Sequence, residues 1–321
     1  MFITDIEFEG LMAPFSFNHS FAVAVSGGAD SLALALLAKR YADNHSLRMT
    51  ALTIDHGLRS NSAQEALWVH NLLVARSISH ETLVWNHTSI PQTKIQERAR
   101  AARYDLLGQW CQENSVTSLL TAHHQDDQIE TFFMRLAHQS GLKGLSSMRA
   151  VRTMPFGMLV RPLLGIPKDR LIATLKAFNC EWCDDPSNAN DTFERVRLRK
   201  TLAGLYEQEI LTPDAVAISI HKLQTIDDFL DESVAAFFNT YALGCFSLKA
   251  FQGQHAVLQR RLLGHLMRQL SSVAYTPPDA AINQVCQQLM RRDFKGATLG
   301  GLYFRRAAGS MVEVCLENRK T

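Results

Sequence analysis

FAVAVSGGADSLALALLAKRYAD, residues 21–43, runs from an apolar segment through a glycine loop into a helical pattern without a spacer. FAVAV reads as a short buried strand, and SLALALLAKRY as the helix it feeds. A tight loop between a strand end and a helix N-terminus is an anion site. Gly27 and Gly28 permit positive φ and bring backbone N–H groups close to a ligand, while the helix dipole adds partial positive charge. Ser26 and Ser31 add hydroxyl donors. Asp30 is out of place beside phosphate unless a cation lies between, which assigns it to Mg²⁺, a metal that prefers oxygen ligands. A Walker A loop ends in GK[ST]; no lysine stands here, so a P-loop GTPase or kinase is excluded.

Working outward, the chain alternates apolar runs with helical patterns. FAVAV (21–25), MTALTI (49–54), ETLVW (81–85) and SLLTA (118–122) are the expected strands, with helices at about 31–43, 62–77 and 94–112 between them. That alternation predicts an α/β fold, a parallel twisted sheet with helices on both faces in the Rossmann-like manner. Ligands in such sheets sit at the carboxyl ends of the strands. The segments there are SGGADS, DHGLR, WNH and HHQDD, three of them rich in groups that bind phosphate, metal or amine.

Between 140 and 192 the segments SGLKG, RPLLGIP and CDDPSNANDT carry turn residues and read as loops. A long helix restarts at Thr212 with Pro213 in its first position. The expected domains are 1–208 and a smaller, mostly helical C-terminal domain, 209–321. The latter has helices near 253–271 and 278–292, then TLGGLYFRR and MVEVCLE joined through AAGS as a terminal β-hairpin.

Asp127 and Glu130 in AHHQDDQIET share a helix face at i and i+3, and Asp126 neighbours Glu130 at i and i+4. Acids at a helix start are often no more than dipole partners. Carboxylates facing a phosphate pocket imply bound cations, either Mg²⁺ or an ammonium. Arg100 and Arg103 lie on an amphipathic helix whose Ile95, Ala99, Ala102 and Leu106 are expected to face inward. Arg195, Arg197, Arg199 and Lys200 form one basic cluster, Arg291, Arg292 and Lys295 a second, and Arg305 with Arg306 a third. Each can neutralise phosphates or simply be solvated.

The 321 residues, 46% hydrophobic, allow two domains with a sizeable core. A net charge of +2 gives no bulk signal for a polyanion partner. No apolar run reaches the ~20 residues of a membrane span, and the start has no secretory pattern, so a cytoplasmic protein without membrane attachment is expected. The six cysteines are expected as reduced thiols. Cys180 and Cys183 form the single CxxC pair, half of a four-cysteine zinc site, and take a structural or incidental reading.

SGGADS, DHGLR, ARAARY, TAHHQDDQIETFFMRL, SGLKGL, RPLL and WCDDPSNANDTFERVRLR resemble, in family order, the PP-loop tRNA(Ile)-lysidine synthetases. The resemblance covers about residues 21–200 and is much less distinct beyond 213. It implies that ATP adenylates the C2 carbonyl oxygen of the wobble cytidine of a tRNA(Ile) with a CAU anticodon, releasing pyrophosphate. The side-chain amine of L-lysine then displaces AMP, leaving lysidine. Ser26, Gly27, Gly28, Ala29, Asp30, Ser31, Ile54 and His56 are the expected ATP contacts, with Asp30 also holding Mg²⁺. Asp30, Asp127 and Glu130 are the expected catalytic residues. Asp127, Glu130, Arg100, Arg103, Arg195, Arg197 and Arg199 are the expected lysine and tRNA contacts.

The family usually shows an Arg-Gly pair before Ser-Gly where this chain has His138 and Gln139, and an Asn where Val196 stands. Many members carry a further C-terminal tRNA-binding module, which is not expected within these 321 residues. A homodimer is left open. Two rivals remain: a PP-loop tRNA thiolase, invited by Cys180 and Cys183, and a nucleotide-binding regulatory module without catalysis, for which the glycine loop alone would suffice.

Overall fold

The computed structural model describes residues 1–58, 61–86, 95–183, 194–270 and 277–317. Arg59 of DHGLR, His87 of WNH and DDPSNANDTF (184–193) lie outside the described residues. The chain packs as two compact units, Met1–His221 and Lys222–Thr321.

In the first unit α1 (Asp5–Met12) precedes β1 (Ser20–Ala24), α2 (Ala29–Asn44), β2 (Arg48–Asp55), α3 (Ser62–Val74), β3 (Ser79–Val84), α4 (Ile95–Glu113) and β4 (Ser118–Leu120). The four expected strands and three expected helices are all present. α5 (Gln125–Ala137), α6 (Leu142–Leu145), β5 (Val151–Met154), β6 (Gly157–Val160), α7 (Lys168–Ala177) and α8 (Glu194–Glu207) follow. The sheet runs β3-β2-β1-β4-β6-β5; its first five strands are parallel and β5 returns antiparallel to β6.

Alternation along β1 sends residues to opposite faces. Phe21 and Val23 enter the core shared with α2, α3 and α7, whereas Ala22 joins Leu52, Leu107 and Trp110 under α4. Helices therefore cover both faces, and the strands' carboxyl ends stay open along one edge.

The expected loop between 140 and 192 is partly wrong. It contains α6, β5, β6 and α7. The strands are only four residues each and end in glycine or proline turns, so neither period emerges from the sequence. Gly157 is obligatory there: its φ is 138°, and an added Cβ would lie 2.2 Å from the Thr117 carbonyl oxygen. The rotation of α4 also differs from expectation. Tyr104, Leu107, Trp110 and Cys111 face the sheet, whereas Leu106 is only partly buried. Alanines at 99 and 102 bury too little area to compete with these larger side chains.

Gln139, two residues past α5, at the position where the resemblance above implies glycine, has φ 53°. A left-handed conformation costs a side-chain-bearing residue about 1–2 kcal/mol, partly offset by the entropy glycine loses on folding. Gln139→Gly is accordingly expected to stabilise the first unit by about 0.5–1 kcal/mol, measured by urea titration. All four tryptophans, Trp68, Trp85, Trp110 and Trp182, lie in that unit, so their fluorescence reports its unfolding alone.

A buried chain of polar groups ties β1 to its neighbours. The Thr53 hydroxyl donates to the Val25 carbonyl (2.9 Å), so His80 must supply the hydrogen in its 2.8 Å contact with Thr53 Oγ1. His80 Nδ1 in turn lies 3.0 Å from His70 Nδ1. Burial, with His70 alongside, pushes the His80 pKa down to about 4. The unfolded chain thus binds more protons than the folded one between pH ~6.5 and about 4, and stability falls as pH drops through that window. Wild type is expected to lose up to about 1.4 kcal/mol per pH unit from this group, a slope that His80→Asn lacks in urea titrations from pH 7 to 4.5.

α9 (Pro213–Phe238) starts as expected, with the Thr212 hydroxyl accepting from the Ala215 N–H at 3.2 Å. Its first turns belong to the first unit, where Val216 and Ile220 pack with Ile129 and Leu202. The second unit contains β7 (Cys245–Ser247), α10 (Leu248–Gln252), α11 (Ala256–Leu270), α12 (Asp279–Leu289), β8 (Gly296–Leu299), β9 (Leu302–Arg306) and β10 (Met311–Leu316). The expected hairpin is part of a four-stranded antiparallel sheet, β7-β10-β9-β8. TLGGLYFRR is two strands, because Gly300 and Gly301, at φ 56° and 80°, form the two-residue turn that such a hairpin requires.

Candidate active site

At the end of β1, Gly27 has φ 84°, and a Cβ there would meet Val69 Cγ2 at 2.8 Å, so conformation and packing both demand glycine. The Ser31 hydroxyl donates to the Gly28 carbonyl (3.0 Å) and accepts from the Ser26 N–H (3.1 Å). These bonds curl the loop around the start of α2.

Asp30 stands on the first turn of α2. Its Oδ2 lies 3.5 Å from His124 Nε2 and 3.7 Å from Lys168 Nζ, while its Oδ1 is buried without a hydrogen-bond partner. Burial works against its charge, but His124 and Lys168 hold its pKa below the ordinary aspartate value. His124 precedes α5 and lies 3.6 Å from Asp127 Oδ2 and 3.8 Å from Asp126 Oδ1. Burial opposes its protonation, yet Asp126, Asp30 and Asp127 push its pKa up to about 10.

The adjacent histidine is in the opposite state. Burial, with Arg161, Arg100 and Arg195 nearby, pushes His123 down to about 4 against the pull of Asp127. His123 Nδ1 lies 3.0 Å from the Thr121 hydroxyl. The starts of α5 and α7 are locked together, the Gln125 N–H donating to the Ile166 carbonyl (2.9 Å) and the Lys168 N–H to Asp126 (3.3 Å).

A cavity of about 430 Å³ opens along the carboxyl ends of β1, β2 and β4. Ser26, Gly28, Asp30, Ser31, Ile54, His56, Arg100, Arg103, Asp127 and Arg195 border it, as do Tyr104 and His123. Arg103 and His56 meet at 3.3 Å. Gly27 and Ala29 are buried in the loop's framework. Glu130 is set back from the cavity: its side chain is 2% exposed, paired with Arg199 and 4.0 Å from Arg195 Nε. Arg197 is exposed on α8 outside the lining. No disulfide joins the cysteines among the described residues, and Cys180 is buried, which raises its thiol pKa. The Cys183 N–H donates to the Gly27 carbonyl at 3.0 Å, bringing the CxxC segment against the glycine loop.

A family profile for the PP-loop domain matches residues 3–205. Over 302 residues, 92% of this chain, the sequence is 35% identical to a tRNA(Ile)-lysidine synthase of Ruegeria pomeroyi, spanning 70% of that protein. The chain belongs to the tRNA(Ile)-lysidine synthase family. A second such synthase, from Hyphomonas neptunium, is 33% identical over 92% of this chain and 80% of its own length. One from Bradyrhizobium sp. is 42% identical over 63% of this chain, which is 57% of that relative. Among solved structures, the U34-tRNA thiolase NcsA from Methanococcus maripaludis, with its [4Fe-4S] cluster, superposes with a TM-score of 0.58 at 15% identity, over 68% of this chain and 77% of its own. That likeness is one of fold.

For a lysidine synthase, the sequence reading missed the two cations around Asp30. His124 was visible as the second histidine of HHQDD, but Lys168 lies 138 positions beyond Asp30 and is joined to it only by the sheet order. Among the described residues no helix is long and apolar enough to cross a membrane.

Proposed function

We propose that the first unit binds ATP along Ser26–Ser31 and adenylates the C2 carbonyl oxygen of the wobble cytidine of a tRNA(Ile) with a CAU anticodon, releasing pyrophosphate. The side-chain amine of L-lysine then attacks C2 and AMP leaves, forming a carbon–nitrogen bond. The observation that carries this reading is the convergence on one cavity of a phosphate-binding loop, the carboxylates of Asp30 and Asp127, and the guanidinium groups of Arg100, Arg103 and Arg195.

The residues divide by charge. The loop N–H groups and the α2 dipole would hold phosphate. Ile54 would pack against the adenine and His56 beside it. Lysine attacks only as a neutral amine, so Asp127 serves as ammonium partner and proton acceptor. Glu130 acts by holding Arg199 and Arg195 on α8, and Arg195 with Arg100 serves an anionic substrate group. The donor set also fits Mg²⁺, since the buried Asp30 Oδ1 has no partner within the protein and this metal is commonly held by one or two carboxylates plus substrate phosphates. When bound there it would neutralise charge on the departing pyrophosphate. Residues 209–321 would contribute tRNA contacts, and the reaction would belong to the cytoplasm.

Radiolabelled lysine should enter tRNA(Ile) with a CAU anticodon only when ATP is present; no incorporation into authentic tRNA would sink the reading. The thiolase alternative draws on the contact between Cys183 and the glycine loop. Buried Cys180, its thiol pKa raised, is a poor source of thiolate. Cys180→Ala/Cys183→Ala should leave lysine incorporation intact, and a folded variant that loses all tRNA modification would favour the thiolase.

A further inference from the structure

SGGADS has no lysine of its own to meet a phosphate, yet the fold brings one to it. Lys168 is the first residue of α7, and its Nζ lies 3.7 Å from Asp30 Oδ2. A cation is disfavoured at that end of a helix, where the dipole is positive. The other charged residues of the first turn are accounted for: Asp169 suits the dipole, and Arg170 is held by both oxygens of Glu7 at 2.6 Å. Lys168 has no comparable partner among the described residues. At 3.7 Å its ammonium is beyond hydrogen-bond reach of Asp30, which also faces His124 at 3.5 Å. Its backbone already fixes the start of α7, the Lys168 N–H donating to Asp126 at 3.3 Å, so the side chain is not required for that.

Three helix starts meet at this point. Asp30 on α2 faces both His124, which precedes α5, and Lys168 on α7, and the Gln125 N–H of α5 donates to the Ile166 carbonyl before α7 at 2.9 Å. Each start adds partial positive charge. His124 is engaged by Asp126 and Asp127 as well, at 3.8 and 3.6 Å, so Lys168 is the cation with charge to spare. The sheet order β2-β1-β4-β6 puts Lys168, which follows β6, on the other side of the β1 loop from Ile54 and His56 at the end of β2. An ATP with its base at β2 therefore runs its phosphate tail toward Asp30 and Lys168. The Lys168 side chain is 35% exposed, and its flexible four-carbon stem lets the ammonium turn from Asp30 to that tail.

We propose that Lys168 is a catalytic residue of the adenylation step, its ammonium donating to the β- and γ-phosphate oxygens of ATP. As the cytidine oxygen bonds to the α-phosphorus, the bond from that phosphorus to the bridging oxygen breaks and pyrophosphate leaves with the electron pair. Lys168 keeps its proton and offsets the charge on the leaving group. It supplies from α7 what a Walker A loop carries within itself. This deepens the proposed function and rests on the glycine loop being the ATP site.

Equilibrium affinities for ATP, pyrophosphate and AMP, all with Mg²⁺ present, test it on wild type and Lys168→Met without requiring turnover. Methionine keeps an apolar stem and removes the charge. ATP and pyrophosphate should both bind about 10- to 100-fold more weakly, the range for a lost hydrogen bond between charged groups, while AMP binds as before. An equal loss for AMP would trace the effect to a distorted loop and overturn the proposal. Unchanged affinities would overturn it too, and tighter ATP binding would make Lys168 a mere competitor for Asp30. Lys168→Gln, held to the same outcomes, decides if the methionine variant loses the native tryptophan fluorescence. Failure of the functional reading shows separately, as absence of lysine incorporation by a wild type that still binds ATP.

Discussion

Asp30→Asn is expected to lower ATP-dependent lysine incorporation on the order of 10³-fold while the protein stays folded. The substitution keeps the side chain's shape and removes its charge. In wild type one Asp30 oxygen faces two cations, His124 and Lys168, and the other is buried without a partner beside the glycine loop. An amide can neither neutralise a metal ion nor balance those cations, so phosphate charge that builds up during adenylation goes uncompensated. Stability suffers less, because His124 keeps Asp126 and Asp127 at 3.8 and 3.6 Å. Pyrophosphate release should fall in parallel with lysine incorporation, since the defect precedes lysine's arrival. A variant that still released pyrophosphate at the wild-type rate would remove Asp30 from the chemistry.

Arg199→Ala should produce the largest loss of stability, about 3 kcal/mol, the cost of breaking a buried ion pair from one side. Glu130 is the buried member, its side chain 2% exposed, and Arg199 is the partner that donates to both its oxygens. Without Arg199 the carboxylate keeps, among the described residues, only Arg195, 4.0 Å away. The reverse change, Glu130→Ala, should cost clearly less, because the Arg199 side chain is 39% exposed and can turn to water. Tryptophan fluorescence during heating should show the first unit melting about 6–12 °C lower in Arg199→Ala. Equal destabilisation by the two variants would contradict this asymmetry.

How much of this could be read from the sequence differs from residue to residue. The glycine loop was legible because strand, turn and helix start are contiguous, so Asp30 could be placed on the first turn of the helix from spacing alone. Asp127 and Glu130 were legible as a pair on one helix face, but their separation into a cavity wall and a buried ion pair was not. That depends on where α8 docks, which no local period encodes. Arg161 was hidden in RPLLGIP, whose proline and glycine read as a turn; its burial follows from β6 lying beside β4. Alanine-rich faces misled the reading of α4, and with it the position of Tyr104. In the second unit a paired glycine inside TLGGLYFRR was enough to divide one expected strand into two.

Asp127 accepts the His124 backbone N–H at its Oδ2 (3.1 Å), the same oxygen that faces the His124 ring. That occupies one side of the carboxylate. Were Asp127 the proton acceptor proposed above, a nucleophile surrendering its hydrogen to it would have to arrive from the Oδ1 side, and the α5 helix start, by engaging the other oxygen, would set the trajectory along which an amine approaches its carbon.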